Sequence, residues 1–219
     1  MNLKVNLGKD KNDSDVVIDL VKENIHFVIL AGESGSGKSI FHSILYRQLV
    51  KQNSAKELGF VIFDATRVDL TGWKSPYVEV DVPETEEALK KFEEISQKSS
   101  EKFTVVHIEE INMNEYSPRR FQKALSNYLK NNPNSLVVLS TSRIGPDTIS
   151  ENIRKLTDLL IVFIQTNIET TQFLLGDESF GNIPKVPGQR LLVFKDKRIF
   201  CKPFTDSEIK DLDKFFFPE

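Results

Sequence analysis

IHFVILAGESGSGKSIFHSILYRQLV, residues 25–50, decides the fold. It opens with an unbroken apolar run from Ile25 to Ala31, the pattern of a parallel strand buried on both faces. Gly32, Gly35 and Gly37 follow, and Lys38 and Ser39 complete the spacing G-x-x-x-x-G-K-S. Ile40, Phe41, Ile44, Leu45 and Leu49 then recur at helical spacing. Strand, glycine-rich turn and helix in that order form a phosphate cradle. The glycines let the backbone turn tightly and aim its N–H groups at a β-phosphate, and the helix N-terminus favours an anion. Lys38 reaches the β/γ oxygens and Ser39 offers its hydroxyl to Mg²⁺. The expected nucleotide contacts are Gly32, Glu33, Ser34, Gly35, Ser36, Gly37, Lys38, Ser39 and Ile40. ATP and Mg²⁺ are the expected ligands.

A second apolar strand, Phe103 to Ile108, ends in two carboxylates, Glu109 and Glu110. That is the Walker B pattern. One carboxylate orients the waters of the cation and the other polarises the attacking water. Glu109 is assigned to the metal with Ser39, and Glu110 to the water. His107, inside the strand, reads as a packed core histidine. A third apolar strand, Leu136 to Leu139, runs into Ser140-Thr141-Ser142-Arg143, where Thr141 or Ser142 is placed to meet the γ-phosphate or the water. The expected catalytic set is Lys38, Glu110, Glu109, Ser142 and Arg143.

Outward from these strands the element types keep alternating. Leu3 to Leu7 and Val16 to Leu20 read as a hairpin, and Phe60 to Phe63 as a strand ending at Asp64. Tyr77 to Val80 is a short strand, Glu84 to Lys98 a helix, and Pro118 to Lys130 a helix with the stripe Phe121, Ala124, Leu125, Tyr128 and Leu129. A short helix around Asp147 to Lys155 precedes a strand at Leu159 to Ile164. Arg190 to Phe194 and Arg198 to Lys202 form a hairpin, and Thr205 to Glu208 is a capping box opening a helix that ends near Phe217. The expectation is an α/β fold: a mostly parallel sheet with helices on both faces and small N- and C-terminal β-hairpin additions. It divides into a hairpin at 1–24, a core at 25–165 and a C-terminal elaboration at 166–219.

The composition is 39% hydrophobic and 28% charged, which excludes a disordered chain. A formal charge of −3 argues against coating duplex DNA by overall charge, so any DNA contact must rest on a local basic cluster. Arg119, Arg120 and Lys123 form one such cluster, and Lys195, Lys197 and Arg198 a second. A charge cluster is also the ordinary solvated face of a helix. Trp73 suits stacking on a ring or anchoring a loop. A lone cysteine, Cys201, and no apolar leader or membrane-length run point to a reducing, cytoplasmic setting.

Several segments, taken in order, resemble the motor core of the FtsK/SpoIIIE and HerA class of DNA-pumping ATPases, which is RecA-like. They are Leu7-Gly8-Lys9-Asp10 with Val16 to Leu20, FVIFDATRVDL at 60–70, LSTSRIGPDTI at 139–149, TTQFLLG at 170–176, Pro187-Gly188-Gln189-Arg190, and Pro203-Phe204. The last three resemble the family's C-terminal β elaboration. Glu109-Glu110 stands where FtsK has Asp-Glu, Ser142 replaces the sensor glutamine, and Leu160 stands at an expected arginine.

The resemblance implies an ATP-driven DNA translocase subunit in a homo-hexameric ring. Plasmid or mobile-element transfer, DNA segregation and virus genome packaging are the settings it suggests. Its implied partners are duplex DNA and a membrane-bound or nuclease partner protein. An arginine from the neighbouring subunit would complete each site, with Arg143, Arg154 and Arg67 as candidates. The alternative is a regulatory or scaffolding P-loop ATPase of a secretion or division complex that moves no DNA. A third possibility is a nucleotide-binding module with little turnover.

Overall fold

In the computed structural model, residues 1–64, 75–81, 85–110, 118–142, 145, 149–176 and 183–210 are described. The parallel strands are β3 (Phe27–Ala31), β4 (Leu58–Asp64), β5 (Val78–Asp81), β6 (Phe103–Glu109), β7 (Ser135–Thr141) and β8 (Leu159–Val162). An antiparallel hairpin, β9 (Arg190–Phe194) and β10 (Lys197–Cys201), extends the β8 edge. The strand order is β10-β9-β8-β3-β7-β6-β4-β5. The C-terminal hairpin is therefore part of the main sheet. A separate hairpin, β1 (Lys4–Lys9) with β2 (Asp15–Asp19), is antiparallel.

Every described residue of β3, β4, β6, β7 and β8 is buried, as continuous apolar runs covered on both faces require. One face packs against α2 (Thr85–Ile95), α3 (Pro118–Asn131), α4 (Glu151–Lys155) and α5 (Ile168–Leu175). The predicted stripe of α3 supplies Phe121, Ala124, Leu125 and Tyr128 to this core. The opposite face packs against α1 (Lys38–Gln52) and the N-terminal hairpin. Side chains of α1 satisfy the open edge of β1. Gln48 accepts from Asn6 N at 2.7 Å and donates to Asn6 O at 2.9 Å, while Gln52 donates to Lys4 O at 2.9 Å. An edge whose backbone groups are already bonded does not recruit another strand.

The segment 170–176, expected in a β elaboration, is helical. Asn167 caps α5 by accepting from Thr170 N at 3.1 Å, and the helix closes at Gly176. Leu174 and Leu175 face the core. The Thr205–Glu208 capping box is present, with Glu208 accepting from Thr205 N at 2.7 Å, and opens α6 (Asp206–Lys210). The remainder of that expected helix, to Phe217, lies outside the described residues. Among the described residues no helix is long and apolar enough to cross a membrane.

The chain leaves β3 and skips two strand positions to reach β4. It returns through β6 to β7, then crosses to β8 on the other side of β3. Open α/β sheets bind ligands where the order reverses, beyond the carboxyl ends of the strands. The carboxyl ends of β3, β7 and β6 are adjacent there.

Candidate functional site

The loop from Gly32 to Gly37 leaves β3 and enters α1 without a side-chain cap. The N–H groups of the first turn of α1 are thus the donors a helix leaves for an anion. Gly37 sits at φ 105°, and a Cβ there would lie 3.0 Å from Gly188 N. Only glycine suits both the backbone and the space. Gly188 N donates to Ser36 O at 2.9 Å, so the C-terminal segment braces the loop. Gly32 N donates to Thr141 O at 3.2 Å and Glu33 N to Ile164 O at 3.0 Å. The Glu33 carboxylate accepts from the hydroxyl and backbone N–H of Thr166, which hold its pKa below the usual carboxylate value. Ser36 Oγ is buried and has no hydrogen-bond partner among the described residues.

Lys38 is buried, 6% exposed, with Nζ donating to Gly32 O at 2.8 Å and Glu33 O at 3.3 Å. Glu110 Oε1 lies 4.0 Å from that ammonium. The Glu110 backbone is left-handed, φ 47°, a conformation that costs a non-glycine residue roughly 1–2 kcal/mol. Two bonds hold it: Glu110 N donates to Ser140 O at 2.8 Å, and Ser142 N donates to Glu110 Oε1 at 2.7 Å. The end of β7 therefore holds Glu110, just past β6, with its carboxylate aimed at the phosphate loop.

Glu109 points the other way, into the protein, and is 4% exposed. Oε1 accepts from Ser140 Oγ at 3.0 Å and Oε2 lies 3.0 Å from His107 Nε2. Tyr46 of α1 places its hydroxyl 2.5 Å from His107 Nδ1. His42, one turn earlier on α1, has Nε2 3.9 Å from Glu109 Oε2, and burial pushes its pKa down to about 3. Burial likewise raises the Tyr46 phenol well above its ordinary value. His107 is buried as expected, but it also contacts a site carboxylate. Ser140, just before the expected Thr141 and Ser142, bonds Glu109. Strand alternation carries that signal: residues 107 and 109 share a face, and Ser140 is the register partner of Glu109. Thr141 is buried and gives its carbonyl to Gly32 N.

The structure thus brings together Lys38, Glu110 and Ser142, while Glu109 beside them turns toward His107 and Ser140. Arg143, Arg67, Trp73 and the loop from Asn112 to Ser117 lie outside the described residues. Arg154 donates to Phe173 O at 3.0 Å, with its guanidinium over the Phe173 ring, so it packs within its own chain. Arg120 does not stand as an open cation. Its guanidinium makes two bonds to Glu93 on α2, at 2.9 and 2.7 Å. Lys195 pairs with Glu23 at 2.8 Å, and Arg198 donates to Leu175 O at 2.9 Å. Arg119 and Lys123 are exposed on α3.

The donor set fits a hard divalent cation beside a polyphosphate. Ser39 lies in the first turn of α1, and Glu109 and Glu110 stand at the end of β6, with β7 between it and β3; oxygen donors of this kind suit Mg²⁺, and the inward-turned Glu109 would meet a cation through its waters.

The FtsK/SpoIIIE family model matches residues 1–163. Among solved structures, the pCW3 conjugation coupling protein TcpA with ATPγS superposes with a TM-score of 0.75 at 17% identity, over 98% of this chain and 70% of that one. The cytoplasmic domain of the Thermomonospora curvata type VII secretion ATPase EccC gives 0.72 at 13% identity, over 94% of this chain and 26% of that one. The genome packaging NTPase B204 of Sulfolobus turreted icosahedral virus 2, in complex with AMP, gives 0.60 at 17% identity, over 83% and 99%. No curated protein matches the sequence. These structures share the fold, and this chain spans only about a quarter of EccC. The family model covers 163 of 219 residues, including Gly32 to Ser39, Glu109 and Glu110, and the chain belongs to the FtsK/SpoIIIE family of P-loop NTPases.

Proposed function

We propose that this chain is an ATP-hydrolysing motor subunit that moves duplex DNA as part of a homo-hexameric ring. The observation that carries the hydrolytic reading is Glu110, held in a left-handed backbone by Ser140 and Ser142 and aimed at the Lys38 ammonium. On ATP binding, Lys38 exchanges its bonds to Gly32 O and Glu33 O for the β/γ oxygens, and the uncapped N–H groups of α1 meet the same phosphates. Glu110 accepts a hydrogen bond from the attacking water, and Ser142 N keeps its carboxylate in place. Bound Mg²⁺, held by Ser39 and by Glu109 through its water shell, would neutralise charge on the transferred phosphate. Arg143 or Arg67 of an adjacent subunit supplies the remaining positive charge; Arg154, packed on Phe173, is a weaker candidate.

The DNA reading is supported by the family and by the conjugation and genome-packaging proteins that share the fold. Steady-state ATPase rate with and without duplex DNA tests it. Stimulation supports a translocase, and an unchanged rate at saturating duplex removes it.

A second reading has its own support. The secretion ATPase EccC superposes nearly as well as the conjugation protein does, and Arg120, Lys195 and Arg198 already have partners within the chain. In this reading the subunit is a regulatory or scaffolding ATPase of a secretion complex. It would hydrolyse ATP in response to a protein partner and ignore DNA.

A further inference from the structure

Beneath the carboxylates lies a polar chain in the middle of an apolar layer. Its members are Tyr46 and His42 on α1 and His107 and Glu109 on β6, all 4% exposed or less. The same face of the sheet is otherwise mostly apolar, lined by residues such as Val28, Phe60, Val105 and Val138. A valine at 107 would pack there with no polar group to desolvate. Burying an imidazole, a phenol and a carboxylate costs free energy unless each is hydrogen-bonded.

Donor and acceptor chemistry fixes the directions of the bonds. Glu109, as a carboxylate, only accepts. His107 Nε2, 3.0 Å from Glu109 Oε2, must therefore carry a proton, and in the neutral imidazole this leaves Nδ1 as an acceptor. Tyr46 O–H is the donor to Nδ1, at 2.5 Å. Ser140 Oγ–H donates to the other carboxylate oxygen at 3.0 Å. Each Glu109 oxygen thus accepts a bond from within the protein. Tyr46 selects the tautomer, His107 passes the orientation on, and the carboxylate plane is fixed from behind. Tyr46 stands two turns beyond Ser39 on the same helix, so the helix that holds the phosphates also sets the carboxylate at the end of β6.

We propose that His107, oriented by Tyr46, is a positioning residue that fixes the Glu109 carboxylate for the water shell of the divalent cation. This rests on the assignment of Glu109 to that shell made above. Residues that orient a direct metal ligand typically change metal affinity by about 10- to 100-fold when removed, and behind a carboxylate that meets the cation through water the lower end of that range is expected.

The test measures cation binding directly, by Mn²⁺ electron paramagnetic resonance titration with a non-hydrolysable ATP analogue bound, alongside analogue affinity in EDTA. His107→Leu and Tyr46→Phe should weaken Mn²⁺ binding, the first by about tenfold or more. Analogue affinity in EDTA should not change, because Lys38 and the loop are untouched. His107→Gln places an amide N–H near the former Nε2 and should recover most of the affinity. His107→Asn, whose amide sits near the former Nδ1, should not. A purely structural role predicts the same loss for Gln, Asn and Leu, and that result overturns the proposal. Unchanged Mn²⁺ affinity in folded His107→Leu overturns it as well. If His107→Leu does not fold, the Gln–Asn contrast and Tyr46→Phe decide the question, and no difference between Gln and Asn rejects the proposal. Glu109→Gln separates the two levels. If it leaves Mn²⁺ binding intact, the Glu109 assignment itself fails. If it weakens binding while the His107 variants do not, only the positioning role fails.

Discussion

Lys38 and Glu110 face each other at 4.0 Å, Nζ to Oε1, although the strands that deliver them are not neighbours. β7 lies between β3 and β6, and its end supplies both backbone bonds that hold Glu110. The cation and the carboxylate thus converge on one point beyond the sheet edge, where a phosphate and a water would enter. Neither is exposed enough to be fully screened by bulk solvent.

Glu110→Gln keeps the shape and the bond from Ser142 N but removes the charge. ATP analogue affinity should stay within a few-fold of wild type while turnover falls by at least about 100-fold. Lys38→Ala should lower both. Measured binding and single-turnover hydrolysis decide the matter, and a Glu110→Gln enzyme turning over at wild-type rate would remove Glu110 from the chemistry.

Arg190 gives a prediction about stability. It is fully buried, donates twice to Leu7 O and once to Gly188 O, and stacks 4.0 Å over the Phe204 ring. Burial lowers its pKa to about 10, so it remains a cation at neutral pH. Gly8, at φ 112°, leaves the room the guanidinium occupies. Arg190→Met should leave two carbonyls unsatisfied and cost about 2–4 kcal/mol in urea unfolding. Arg190→Lys should recover little, because an ammonium lacks the planar fork. Since Gly188 N bonds Ser36 O, nucleotide affinity should fall too. A Lys variant as stable as wild type would contradict this.

The phosphate loop and the five buried strands were legible because they are long, uniform and local: Phe27 to Ala31 can hardly be anything else. α5 was not. Thr170 and Thr171 weigh toward strand, and the signals that win, Asn167 as cap and Gly176 as terminator, become visible only once tertiary packing of Leu174 and Leu175 selects the helix. The Tyr46–His107 bond joins residues far apart in sequence and depends on the crossing of α1 over β6, which no period reveals. The Arg120–Glu93 pair is similar. The basic cluster was plain in the sequence, but α2 packing beside α3 brings the acid that neutralises one member.

His42 makes the fold acid-sensitive in a definite window. Its folded pKa, about 3, lies below the ordinary 6.5. The unfolded chain therefore takes up a proton below pH 6.5 while the folded chain does not until about pH 3. The stability from this group is complete above pH 6.5 and lost as pH falls, by up to about 1.4 kcal/mol per unit. Between pH 6.5 and 5 the loss should approach about 2 kcal/mol. His42→Leu should flatten the pH dependence of urea unfolding by close to one proton there. An identical slope in wild type and variant would mean His42 is protonated in the folded protein.

A chain of net charge −3 has no overall attraction for DNA. A ring that holds duplex must therefore gather a few cations per subunit around one channel. Arg120 is a poor supplier, because Glu93 holds its guanidinium through two bonds. Lys195 is paired with Glu23. Arg119 and Lys123 are exposed on the first turns of α3, a few residues past Glu109 and Glu110 in sequence. Arg119→Glu with Lys123→Glu should abolish stimulation of ATPase by duplex DNA and leave the DNA-free rate intact. Arg120→Ala should change DNA binding little and show mainly as a small stability loss. Each phosphate contact contributes close to 0.9 to the slope of log affinity against log salt, so the double variant should flatten that slope by about 2 or more. An unchanged slope would exclude α3 from the channel. If the wild type binds no duplex with or without an ATP analogue, the secretion reading is the one to pursue.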